Sequence, residues 1–565
     1  MNNFDVVIVG GGLGGVAAAL AAARLGARSV LVCETDWLGG QLTSQAIPLD
    51  EHPWIESTGR NASYALLRAR VREWFRRGYP LTAAARAETA FNPGRGNIGP
   101  LTFEPRVGAL VLEELLAPHV SAGLVEIVRS AVVVGADVRG DAVVSVTVAA
   151  ADGSVGGPRG AGGAGAGELR ELRGTTFLDA TDLGDLLELA GAEHVIGAES
   201  RAQTGEPHAL DGEPDPRDQQ AFTWAMVLGI EPGEDHTIAR PRDYELWRDY
   251  RTPVWPGSLL SFEVRDFVTH RTRERPLFRS SPSAGGIHYD LWHARRVLAA
   301  ANFEPGWPGR EATAAAWPMQ DYWRAPLLGP DVGEAERAEA LEGARQLSLS
   351  LLHWLQTEAP RHDGDGVGYP ELRPRGDLTG TPDGLAKQPY IREGRRIVAE
   401  TTVVEQQIGV EARPGARGAE PFADTVGVGA YRIDLHPSSS GRDTVDVDSW
   451  PFQIPLGALL PVRLENLLPA AKNIGTTHVT NGAYRVHPVE WAIGEAAAAL
   501  AVFAGVERCT PRAVRADAER LERFQTLLAG RLGVQLEWPD FGPLTPLRRW
   551  GYVAEEGDEL AGALT

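Results

Sequence analysis

A chain of 565 residues is too long for one hydrophobic core, so two or more domains are expected. Its 75 acidic and 55 basic side chains leave a formal net charge of -20, which works against a nucleic-acid partner because phosphate binding needs a basic surface. With Cys33 and Cys509 as its two cysteines, the chain can form neither a disulfide framework nor a CxxC redox pair, and a reducing, cytoplasmic setting is expected.

The chain opens with Phe4-Asp5-Val6-Val7-Ile8-Val9, dense in β-branched residues like a strand buried on both faces. It reads as a strand and not as a signal peptide, and no membrane span is expected. Gly10-Gly11-Gly12-Leu13-Gly14-Gly15 follows, then an alanine-rich helix from Val16 to Leu25 closed by Gly26, then a strand from Ser29 to Cys33 ending in Glu34. Strand, GxGxxG, helix, strand and acid together form a dinucleotide-binding unit. Gly10 permits the tight turn, Gly12 lets a pyrophosphate approach the backbone, and Gly15 lets helix and strand pack. The helix start offers amides to the phosphates, and Glu34 stands where a carboxylate accepts ribose hydroxyls. A second glycine pair begins Gly39-Gly40-Gln41-Leu42-Thr43, which suits FAD because its longer flavin half must run back past this loop.

Residues 106–117 have helical spacing of Val107, Leu110, Val111 and Leu115, with Pro118 as the expected end. Val125 to Val148 reads as strands turning at Gly135 and at Arg139-Gly140-Asp141. The glycine-rich stretch 151–167 reads as a flexible hairpin loop. From about 200 to 380 the texture changes, and eight of the fifteen tryptophans fall between Trp224 and Trp354. A helix is expected within 331–357, its Leu341, Ala344, Leu347, Leu351 and Trp354 forming a core stripe. Helices are also expected from Val489 and over 511–532, with an acidic tail from Glu555.

Five blocks in this order resemble the FAD-dependent oxidoreductases related to the glutathione-reductase and fumarate-reductase flavoproteins, and more narrowly their xanthan-lyase-like branch. They are the glycine loops, Phe177-Leu178-Asp179-Ala180-Thr181-Asp182, Pro389 to Ile397, Asp424 to His436, and Asn466 to Pro488. Ala471-Lys472 departs from the Gly-Arg frequent in that family.

The resemblance implies an α/β fold: a Rossmann-like FAD-binding domain with a parallel central sheet and an inserted mixed α+β substrate or cap domain. The expected parts are 1–200 and 451–510 for FAD, 201–385 and 386–450 for substrate, and a helical extension over 511–565. It also implies FAD contacts near Val132, Ala180, Thr181, Asp182, Asn473, Gly482 and Val486.

Flavin chemistry needs a base beside the substrate, and His487, His478 and His436 are the candidates, in that order, with Asn481 as a partner. Arg485 and Arg392 are candidates for holding a carboxylate or phosphate, with a solvated ion pair as the plainer role for each.

No metal is expected. HExxH is missing, His288-Tyr289-Asp290 has no third partner nearby, and His362 to Gly366 lacks most of a calcium loop. The GxGxxG spacing recurs at 94–99 and 160–165, but no second complete strand, GxGxxG, helix unit is read, which argues against a tightly bound NAD(P)H domain. The expected activity is removal of hydride from a C–OH or C–N carbon of a small-molecule substrate, by a protein that is free to oligomerise. The alternatives are a monooxygenase or reductase using externally reduced flavin, or a non-catalytic or tRNA-modifying flavoprotein.

Overall fold

The computed structural model describes residues 3–151, 169–279 and 290–544. All but the first residue of the 151–167 loop, the tail from Glu555, and His288 and Tyr289 lie outside them. The hydrophobic opening is strand β1 (Asn3–Val9), followed by helix α1 (Leu13–Arg24) and strand β2 (Ser29–Val32). Four more strands complete the first part of the sheet: β3 (Val125–Val128), β4 (Ala131–Arg139), β5 (Ala142–Ala150) and β6 (Arg170–Asp179). Their order is β3-β2-β1-β6-β5-β4, with β7 (Leu467–Pro469) also on β6. Pairing from β3 to β6 and on to β7 is parallel, and β4–β5–β6 is antiparallel. The two parts share one edge of β6: β5 pairs its start at Arg170–Arg173, and β7 pairs its end at Phe177–Asp179. Residues nearly 300 apart thus meet at the end of β6, beside the glycine loop.

A second, antiparallel sheet runs in the order Arg296–Leu298, Ala312–Ala315, Met226–Ile230, Leu372–Pro374. Helix α2 (Glu334–Thr357) buries Leu341, Ala344, Leu347, Leu351 and Trp354, the expected stripe. The closing helices are α3 (His478–Tyr484) and α4 (His487–Glu507). Helix α4 is long and apolar enough to cross a membrane by composition, yet 83% of its apolar window is buried in this fold. It packs on α1 through bare backbone, since a Cβ on Gly494 would lie 2.0 Å from Gly14 O.

Four local expectations are corrected. The helix begun at Pro105 runs through Pro118 to Ser121, although that proline cannot donate to the carbonyl one turn before it. β4 continues through Gly135 with a register shift where a turn is expected. Helix α4 starts at His487, with Pro488 in its first turn, two residues before the expected start. The stretch 511–532 is three pieces, Pro511–Ala516, Ala518–Leu527 and a turn over Leu528–Leu532. Asp517 breaks it by turning its carboxylate onto the amides of Glu519 and Arg520, which caps a new helix.

Candidate active site

The glycine loop is shaped by contacts that only glycine permits. Gly10 has φ +114°, and a Cβ there would lie 2.1 Å from Ala180 O. Cβ atoms on Gly14 and Gly15 would lie 1.9 Å from Ala470 O and from Gly10 O. Gly12 differs: its backbone is ordinary (φ -65°, ψ -176°), and the nearest atom to a Cβ is Glu490 Oε1 at 3.0 Å. Its open side faces a cleft of about 540 Å³ that Gly10, Gly12, Glu34, Gly40, Val132, Ala180, Thr181 and Asp182 all line.

The other expected cofactor residues stand around this cleft without lining it. Leu13, Gly14 and Gly15 form the buried start of α1. Gly39 (φ +112°) donates its amide to Gly11 O at 2.7 Å and joins the two loops. Buried Gln41 donates to Arg485 O at 3.3 Å and to the Glu490 carboxylate. Leu42 is core, and Thr43 donates to Leu38 O at 2.6 Å. Asn473 ties β7 to β6 through Asp179 O at 3.0 Å. Gly482 lets α3 approach Asp434, whose backbone nitrogen would lie 2.9 Å from an added Cβ. Val486 is the buried N-cap of α4.

Past the cleft, Asp182 accepts from Lys472 Nζ and Gln45 Nε2, both at 2.6 Å. Two acceptors here, Gln41 Oε1 and Gln45 Oε1, are buried with no hydrogen-bond partner among the described residues. Orphaned buried acceptors cost free energy, and a flavin ring with its ribityl chain carries N–H and O–H donors of the kind they lack. The residues present therefore fit FAD: the cleft suits its adenosine and pyrophosphate, and the loop 41–45 suits its flavin half.

A second cavity, about 1330 Å³, lies beyond Asp50 and is bordered by Phe267, Trp317, Tyr390, Arg392, His436 and Arg485 among others. His436 is the one candidate base on its wall. Its Nδ1 is 2.6 Å from Asp321 Oδ2, so the remaining ring nitrogen is Nε2, 3.8 Å from Asp434 Oδ2. Burial, helped by the Arg392 charge, pushes the His436 pKa below its ordinary value against the pull of Asp321 and Asp434. Buried Asp321 also accepts from Thr223 Oγ1 at 2.5 Å and lies 3.2 Å from Arg392. Burial opposes its ionisation, yet Arg392 and His436 hold its carboxyl below the usual range.

His487 and His478 are placed differently. His487 Nδ1 accepts from the Asp50 amide at 3.1 Å, and its Nε2 is 3.2 Å from Ile47 O. Both ring nitrogens are thus engaged by backbone, and burial drives its pKa down to about 3. This neutral histidine pins the 47–50 loop to α4. His478 sits between the two oxygens of Glu393 at 3.0 and 2.9 Å, in a buried cluster with Arg396 and Glu199, and does not border the cavity. Its expected companion Asn481 lies 3.4 Å from Gln220 and from Lys472 O.

Neither arginine is the solvated ion pair of the plainer reading. Arg485 donates to Tyr390 Oη at 2.8 Å and Asp434 O at 3.0 Å, and Arg392 to Ala221 O at 2.7 Å and Thr223 Oγ1 at 2.9 Å, both while buried.

Sequence reasoning missed Asp321, Asp50, Arg295 and Glu490. Only Glu490 had a local signal, as an acid in the first turn of a helix. It accepts from the Gly14 amide at 3.1 Å, and burial raises its pKa against the Lys472 charge.

A model of the FAD dependent oxidoreductase family matches residues 5–528. No curated protein matches the chain. Among solved structures, the chain is similar to p-nitrophenol 4-monooxygenase PnpA from Pseudomonas putida DLL-E4, at 16% identity over 71% of this chain and 70% of that one, TM-score 0.29. It is similar to the myxobacterial chondrochloren halogenase CndH at 16% identity, over 42% of this chain and 46% of that one, TM-score 0.21. It is similar to the flavin-dependent monooxygenase PieE, crystallised with FAD and substrate, at 15% identity, over 40% and 35%, TM-score 0.22. The match thus spans less than half the length of the halogenase and of PieE. Likeness at these scores says nothing about the reaction.

Proposed function

The chain belongs to the family of FAD-dependent oxidoreductases, and from that premise we propose that it is a dehydrogenase or oxidase that removes hydride from a C–OH or C–N carbon of a small organic molecule. The five sequence blocks support a place in the xanthan-lyase-like branch of the family. FAD, when bound, supplies the two-electron acceptor. The chain's own residues supply the base and the field around it. Asp321 accepts a hydrogen bond from Nδ1–H of His436 and so fixes the tautomer whose Nε2 carries the lone pair. Nε2 takes the hydroxyl or amine proton as the carbon is oxidised, and the ionised Asp321 stabilises the imidazolium that forms. Arg392 keeps Asp321 ionised. Burial of Asp321 and Arg392 strengthens their interaction.

The observation that carries this reading is the Asp321–His436 contact at 2.6 Å on the wall of the larger cavity. The test is anaerobic flavin reduction by pooled alcohols and amines in His436→Gln and Asp321→Asn. The glutamine has no basic nitrogen, and the asparagine favours the wrong imidazole tautomer. Each should slow bleaching by about 10²–10⁴-fold while FAD stays bound. Wild-type rates in both variants reject the assignment.

A further inference from the structure

The charges around the larger cavity are unevenly matched. Arg273 is paired with Asp266 at 3.1 Å, Arg392 with Asp321 at 3.2 Å, and Arg485 with Asp434 at 3.3 Å, while Arg265 reaches outward to Asp443 at 2.5 Å. Arg295 is not held in this way. Among the described residues its ion pair is to Asp50 at 3.8 Å, too long for a hydrogen bond, and its Nη1 is buried without a hydrogen-bond partner. Asp50 is the complement: 3% exposed, with Oδ1 also lacking a partner among the described residues. A donor and an acceptor, both charged and both under-satisfied, thus border one cavity about 4 Å apart, beside the first turn of α4. Leaving either one dry and unbonded is costly, so the pair is an argument for a ligand.

Their chemistry specifies what the ligand brings. A guanidinium with a free N–H selects a carboxylate oxygen, and a carboxylate with a free oxygen selects a hydroxyl. Phe267 and Trp317 also border the cavity and bring aromatic side chains suited to a ring. Arg295 is anchored independently of its side chain, because its carbonyl accepts from the Ala314 amide at 3.1 Å.

We propose that the larger cavity binds a hydroxylated carboxylic acid, with its carboxylate on Arg295 and a hydroxyl on Asp50. This rests on the oxidoreductase reading of the cavity and narrows its substrate class.

The test is equilibrium binding to the FAD-loaded protein, by calorimetry, of two acid and amide pairs: mandelate with mandelamide, and glucuronate with glucuronamide. Within each pair the shape is nearly constant and the charge is not. At least one acid should bind about tenfold or more tightly than its amide, as expected for a hydrogen bond to a charged group. Arg295→Met should remove that preference, and Arg295→Lys, which keeps the charge but loses the planar fork, should retain part of it. The proposal is overturned if neither acid is preferred over its amide, or if Arg295→Met keeps the preference. The reaction is read separately from the visible flavin band. An acid that binds through Arg295 without bleaching the flavin sustains the binding assignment and removes the dehydrogenase reading. Neutral alcohols that bleach it, with no preference for acids in binding, do the reverse.

Discussion

Replacing Gly12 or Gly14 with alanine separates the two tasks of the glycine loop, because the structure gives these neighbours opposite surroundings. A Cβ on Gly14 would lie 1.9 Å from Ala470 O and 3.3 Å from Glu490 O, both backbone atoms that cannot rotate away. To reach an ordinary contact distance, α1 must move by more than about 1 Å from the end of β7, and overpacking of that size costs about 3 kcal/mol or more. A Cβ on Gly12 meets the flexible end of Glu490 at 3.0 Å and then Ala180 O at 3.8 Å, on a backbone that alanine adopts freely. Its stability cost should stay within about 1 kcal/mol, the difference between glycine and alanine at a helix N-cap. The added methyl would stand where the pyrophosphate comes against the backbone, and FAD should bind about 10–100-fold more weakly, or about 1.4–2.8 kcal/mol. The assay pairs thermal melting of the FAD-free proteins with fluorescence titration by FAD. Gly14→Ala should melt well below wild type, whereas Gly12→Ala should melt near it and bind FAD poorly. Wild-type FAD affinity in Gly12→Ala, or a wild-type midpoint in Gly14→Ala, refutes the reasoning.

Burial of His487 makes the fold acid-labile in a defined window. Its folded pKa of about 3 lies below the ordinary 6.5, so the unfolded chain takes the proton first and stability is lost as pH falls from 6.5 toward 3. At about 1.4 kcal/mol per pH unit this amounts to roughly 5 kcal/mol, and His487→Asn should flatten the dependence by one proton when urea midpoints are compared across that range. Equal slopes in the two proteins exclude it. Arg396→Met should cost about 3–5 kcal/mol by leaving Glu393 and Glu199 in contact with His478 but without their guanidinium. An unchanged melting midpoint would show that the cluster is not held by that arginine.

What the sequence made legible was whatever lies close together along the chain. The turn at Gly10, the open side of Gly12 and the acid Glu34 on the cleft wall fall within one short unit, where spacing alone states the geometry. Val132 and Ala180 to Asp182 were reached through the order of family blocks, and they line the same cleft. The roles of the histidines were not legible, because a histidine's chemistry depends on what occupies its two nitrogens. For His487 those partners are Asp50 and Ile47, more than 400 residues away, and for His436 the decisive Asp321 lies 115 residues away in a segment without a motif. The histidine nearest the expected flavin-facing turn is accordingly a neutral strut. Arg295 and Asp50 stand out only once folding brings them to the same wall. Asp517 is a different case, since an N-cap signal was present in the sequence and helical periodicity over 511–532 masked it.

The most direct test of the central claim is the visible spectrum of the purified protein under anaerobic conditions, followed through additions of pooled alcohols, amines and hydroxy acids and, separately, of NADH and NADPH. Bleaching of the flavin band by an organic pool without any nicotinamide is the predicted result. Bleaching by NADH or NADPH alone, with every organic pool inert, would contradict it and move the chain to the monooxygenase or reductase class.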